Sequence, residues 1–77
     1  MKRVSLVKVK TGKKGRVVEI LAGRGLQNRL LSMGIYPGRE ITKLSAFVLR
    51  GPVAIKVGHA VIALGYGMAN KVIVETE

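Results

Sequence analysis

Ten glycines and two prolines punctuate this 77-residue chain, and that spacing constrains its fold more than any other feature. What lies between the breaks is a set of short extended runs joined by tight turns, the pattern of a small all-β barrel. A chain of this length forms one domain, residues 1–77, with a single core. "TGKKG" turns into "RVVEILA", whose Val and Ile content marks a strand, and "AGRG" ends it. "REITKLSAFVL" reads as a longer strand and "RGP" as the turn that follows. "VAIKV" alternates cleanly, with Val53, Ile55 and Val57 on one face and Ala54 and Lys56 on the other. Gly58-His59 then forms a two-residue connection with glycine in the first central place, as a type II′ hairpin requires. "AVIALG" is its partner strand, "YGMAN" one helical turn or a tight corner, and "KVIVE" the last strand.

One stretch departs from the β pattern. In "LQNRLLSM", Leu26, Leu30 and Met33 recur at i, i+4 and i+7, one apolar stripe of about two helical turns. Gly34 is a natural left-handed residue to stop this helix, and Pro37 forbids its continuation. The expected fold is therefore mainly β: a small SH3-like barrel of about five strands with one short helix. The apolar stripe is expected to close one end of the barrel, and Pro37-Gly38 to aim the next strand.

Cysteine is absent, which excludes disulfides, thiolate nucleophiles and thiolate metal sites. No apolar run approaches the roughly 20 residues of a membrane-spanning helix. The basic start "MKRVSLVKVK" is followed by no uninterrupted apolar core or small-residue cleavage site, so no signal peptide is expected and the default location is the cytoplasm.

The formal charge is +10 and lies mostly at the front. Lys2, Arg3, Lys8, Lys10, Lys13, Lys14, Arg16, Arg24 and Arg29 are opposed up to that point only by Glu19. Such a field attracts polyanions: nucleic acid, an anionic membrane surface or an acidic protein. A basic strand-turn-strand opening, "VKVKTGKKGRVVEI", is what small ribosomal and KOW-type barrels present. Against that stand only Tyr36, Phe47 and Tyr66 as aromatics, none interleaved with the cations, whereas single-strand binders supply several stacking platforms.

Catalytic and metal chemistry find little to work with. The chain has one histidine, His59 in a turn, no aspartate, and four scattered glutamates, with Glu75 and Glu77 near the end. General acid-base catalysis needs two groups in a shared cleft, and a divalent cation needs several converging ligands. Met1, Met33 and Met68 are thioethers, and Met33 on the helix stripe is a packing residue. We expect no catalytic residues, no metal site and no cofactor. "GRGLQN" carries Asn28 in the third glycine place of a dinucleotide fingerprint, and "GKKG" lacks the spacing and ending of a P-loop; both are turns.

"RLLSMGIYPGREI" resembles the signature of the FeoA family of ferrous iron transport proteins, a short helix R-L-x-x-(M/L)-G-(I/M/L) running into x-P-G and a strand. "TGKKGRVVEI" upstream, and "LRGPVAIKV" and "VIALGYGMANKVIVE" downstream, extend the resemblance over nearly the whole chain. The sequence departs at Gly65, where many members carry a basic residue, and in the short loop Ala22 to Gly25.

The resemblance implies a non-enzymatic cytosolic SH3-like domain that supports or regulates FeoB, a membrane transporter for Fe(II) with a G-protein domain. Related SH3-like domains end metal-dependent repressors of the DtxR type, where they act as interaction modules. Arg29, Ser32, Ile35 and Tyr36, the helix face left over after packing, are the expected partner-binding residues. Self-association through unpaired barrel edges is also expected to be open to such a fold. The alternative function is a nucleic-acid-binding basic barrel.

Overall fold

The computed structural model describes residues 2–46 and 49–77. Six strands form one antiparallel sheet: β1 (Lys2–Ser5), β2 (Lys14–Ile20), β3 (Glu40–Ala46), β4 (Val53–Val57), β5 (Ala60–Leu64) and β6 (Val72–Thr76). A nine-residue helix, α1 (Arg24–Ser32), joins β2 to β3, and a single turn, α2 (Tyr66–Ala69), joins β5 to β6. The strand order is β1-β6-β2-β3-β4-β5, so the two end strands do not pair with each other. The sheet nevertheless curls into a barrel-like body, with nearly equal extents of 28 × 27 × 23 Å. This is the SH3-like arrangement that the sequence leads one to expect.

Alternation builds the core. Val53, Ile55 and Val57 of β4 are buried, while Lys56 faces out. Two bulges adjust the same alternation elsewhere. On β2, Gly15 and Val17 face inward, the register slips between Val17 and Glu19, and Ile20 takes over the inner face. Such an extra residue bends the strand and strengthens its twist, which is how an open sheet of this size is curled. A second slip lies between Lys43 and Ser45 on β3.

Three local expectations are corrected. Val7 to Lys10 is not strand: Leu6–Lys8 forms a 3-10 turn capped by Ser5 Oγ, which accepts from Val7 N–H at 3.2 Å, and Leu6 and Val9 drop into the core. The opening strand-turn-strand reading fails because two apolar side chains must enter the core from one short segment. The sheet gains a sixth strand, because Lys2–Ser5 pairs separately with β6. The turn after β3 includes Leu49, with φ +59, as well as Arg50, with φ +62, so the strand expected through Leu49 stops earlier. Phe47, within that expected strand, lies outside the described residues, as does Met1. The β4–β5 hairpin is as expected: Val57 pairs with Ala60, and Gly58 alone in the loop has positive φ, +61, the mark of a type II′ turn.

Candidate functional site: the helix corner

The corner is built around the end of α1. Met33 caps the helix, Gly34 takes φ +86, and Ile35 follows. The Gly34 N–H donates to the Leu31 carbonyl and the Ile35 N–H to the Leu30 carbonyl, both at 2.9 Å. That pair of bonds is a Schellman motif, which needs a left-handed residue and so a glycine. Tyr36-Pro37-Gly38-Arg39 then forms a β-turn, closed by the Arg39 N–H on the Tyr36 carbonyl at 3.0 Å, with Gly38 at φ +98. Proline and glycine in the two central places fit a type II turn. The turn is fastened to β2 by Gly38 N–H to the Val17 carbonyl at 2.7 Å and Val17 N–H to the Arg39 carbonyl at 2.9 Å.

The stripe behaves as its spacing requires. Leu30 is buried, and Leu26 and Met33 pack against the core from its edge. Of the four expected contact residues, three are exposed and one is not. Arg29 and Ser32 face out from the helix, and Ser32 Oγ donates back to the Arg29 carbonyl at 2.7 Å. Tyr36 is 37% exposed, with the Arg39 guanidinium over its ring at 5.9 Å. Arg39 Nη1 also reaches the Tyr36 hydroxyl at 3.3 Å, bracing the phenol from below. Ile35, by contrast, is 0% exposed and belongs to the core. Its place beyond the left-handed glycine turns it back onto Leu30, so it is removed from the exposed set.

Beside Tyr36 lies a shallow recess of about 110 Å³, lined by Ile20, Gln27, Asn28, Leu31, Ile35, Tyr36 and Pro37. Its floor is core, and its rim is Tyr36, Pro37 and Leu31, the last 55% exposed. Gln27 Nε2 donates to the Ala22 carbonyl at 2.7 Å and ties the helix start to the end of β2. Arg29 and Ser32 do not line this recess. Ile20, Gln27, Asn28, Leu31 and Pro37 are the members outside the contact set expected from the sequence. Leu31 sits next to the apolar stripe, so periodicity assigns it no special role; the signal is an apolar residue one place beyond the stripe.

A second concavity, an open cleft of about 730 Å³, collects much of the front-loaded charge: Lys2, Lys8, Lys10, Lys13, Lys14 and Arg16 line it, with Glu40, Glu75 and Glu77. Tyr36 and Tyr66 are absent from its lining, and Tyr66 carries the Arg50 guanidinium at 5.8 Å. One wall is pinned by Lys43, which is only 4% exposed. Its Nζ donates to the Val7 carbonyl at 2.9 Å, while its own backbone bonds Gly12 and Lys13 at 2.7 and 3.0 Å. Burial holds the Lys43 ammonium below the ordinary lysine range. His59 lies exposed in its hairpin turn. Among the described residues, no three acidic, histidine or cysteine side chains converge as metal ligands. None of the described helices is long and apolar enough to cross a membrane.

The comparisons with known proteins agree with this architecture. The model of the FeoA domain matches residues 4–76. A Methanocaldococcus jannaschii protein named Fe(2+) transport protein A is 39% identical over 66 residues, 86% of this chain and 78% of that protein. The crystal structure of an iron uptake regulatory protein (FeoA) superposes with a TM-score of 0.89 at 38% identity, over all of both chains. A manganese-dependent transcriptional repressor contains the same fold, with a TM-score of 0.87 at 21% identity over 97% of this chain and 42% of the repressor.

Proposed function

The chain belongs to the FeoA family, and from that premise we propose that it is a non-enzymatic cytoplasmic adaptor that modulates a FeoB-type ferrous iron transporter by protein contact. The observation that carries this reading is the recess at the corner. Leu31, Tyr36 and Pro37 hold apolar surface in solvent around a floor of Ile20 and Ile35. The rim is rigid, because the Schellman motif and the Pro-Gly turn fix the backbone on both sides of Ile35. Preformed apolar depressions with polar neighbours such as Gln27 and Asn28 are what a partner side chain fills at an interface. Arg29 and Ser32 on the exposed helix face supply the polar rim of the same contact.

Iron uptake in cells that depend on this chain tests the reading. Leu31→Glu places a charge in the recess and is expected to abolish the stimulation of uptake while the protein remains folded. Full uptake with Leu31→Glu combined with Tyr36→Ala would remove the corner from the function. The nucleic-acid alternative has less behind it, since no described aromatic ring lines the basic cleft.

A further inference from the structure

We infer that the basic cleft is a second binding site, separate from the corner, and that it takes an extended acidic polypeptide segment. The cleft is a built feature rather than a loose patch. Lys10-Thr11-Gly12-Lys13 closes as a turn, with the Lys13 N–H on the Lys10 carbonyl at 3.0 Å and Gly12 at φ +88. Lys43 then staples this turn and the preceding 3-10 segment to β3 through its ammonium and both of its backbone groups. Lys8, Lys10 and Lys13 therefore stand on backbone held to β3, and Lys2 and Lys14 line the same cleft.

The charges of this region are only partly matched by carboxylates. Arg3 Nε meets Glu75 Oε2 at 3.6 Å, and Arg16 faces Glu40 on one neighbouring strand and Glu75 on the other. Among the described residues, neither Arg16 nor any of the five cleft lysines has a carboxylate within salt-bridge distance. The cleft thus holds internal carboxylates on its strands and keeps a surplus of positive charge along its wall.

The form of that surplus selects among anions. Arg16 alone of the six cleft cations offers the forked donor that grips one phosphate; the other five are lysines, which act as separate point charges. An anion with charges spread along its length matches them. A flat lipid surface fits a concave cleft poorly. Nucleic acid would set its dense phosphates against Glu40, Glu75 and Glu77, with no aromatic ring among the described lining residues to stack on. A polypeptide carries its carboxylates on side chains spaced along the strand, and can place them on the lysines while avoiding the three glutamates.

The test uses the whole chain and three probes: a labelled twelve-residue Glu/Ser peptide, an oligothymidylate of equal charge, and vesicles containing phosphatidylserine. The peptide is expected to bind most tightly and to weaken as salt rises to about 0.15 M, where screening shortens to about 8 Å. Lys10→Glu with Lys13→Glu is expected to weaken it by about tenfold or more. Lys56→Glu with Lys71→Glu makes the same charge change outside the cleft and is expected to leave most of the binding. Tighter binding of the oligothymidylate or the vesicles would overturn the inference, as would equal losses in the two double variants. The cleft and the corner recess share no lining residue. Leu31→Glu therefore leaves peptide binding intact, and failure at one site is distinguishable from failure at the other.

Discussion

Ile35 and Leu30 are joined by a 2.9 Å backbone hydrogen bond across the end of α1, and both side chains are fully buried. This couples the end of the helix to the core. Next in the chain, Tyr36 emerges into solvent, so two adjacent residues divide packing from surface. The recess depends on that division: its floor belongs to the core and its rim to the surface.

The left-handed Gly34, between Leu30 and Ile35, is therefore expected to be sensitive. Gly34→Ala forces a side chain into φ +86 and brings its Cβ to 3.4 Å from Val57 Cγ1. The cost is expected to be about 1–2 kcal/mol in urea denaturation, with Gly34→Asn losing less.

Ile35 and Tyr36 are expected to separate cleanly on truncation. Ile35→Ala leaves a cavity and should cost about 2–5 kcal/mol. Tyr36→Ala removes an exposed ring and its stacking with Arg39, and should cost at most about 1 kcal/mol. Equal losses in chemical denaturation would contradict the assignment of Ile35 to the core.

Lys43 gives stability a distinctive pH dependence. Its folded pKa is held below its unfolded value by burial. Over the window between the two, the unfolded state binds more protons and stability rises with pH. The unfavourable contribution is complete below the folded pKa and fades towards the ordinary value of 10.5. Lys43→Met lacks this dependence, so the stability of the wild type relative to the variant is expected to climb as pH rises towards the ordinary lysine value of 10.5. Urea denaturation across that range reads the slope, and parallel curves would contradict the assignment.

Leu31→Ala is expected to leave stability within about 0.5 kcal/mol, because the side chain is more than half exposed. Association with the partner is expected to weaken by about tenfold or more, the effect of truncating an apolar anchor at an interface centre.

Much of this fold is legible in the sequence because it rests on local backbone rules. The Gly58-His59 hairpin, the Gly34 stop and the Pro37-Gly38 turn each follow from conformations open to few residues, and each is found where it is expected. The helix stripe is legible for the same reason. What the pattern hides is set by long-range packing. Ile35 reads as surface when helical spacing is carried past the glycine, although an apolar residue just after a left-handed stop commonly packs back onto the last turn. Lys43 reads as an ordinary charged residue, yet alternation from Ile41 places it on the inner face. Only the fold supplies the Val7 carbonyl that receives it. Within the recess, Tyr36 was legible and Leu31 was not, since exposure of an apolar helix residue depends on which neighbours cover it.

The most direct test of the corner is retention of a FeoB-type transporter by the immobilised chain from nuclease-treated, detergent-solubilised membranes at moderate salt. The account predicts that the wild type retains the transporter, that Leu31→Glu with Tyr36→Ala loses it, and that Lys56→Glu with Lys71→Glu keeps it. Undiminished retention by the corner variant, or recovery of nucleic acid in place of the transporter when nuclease is omitted, would contradict it.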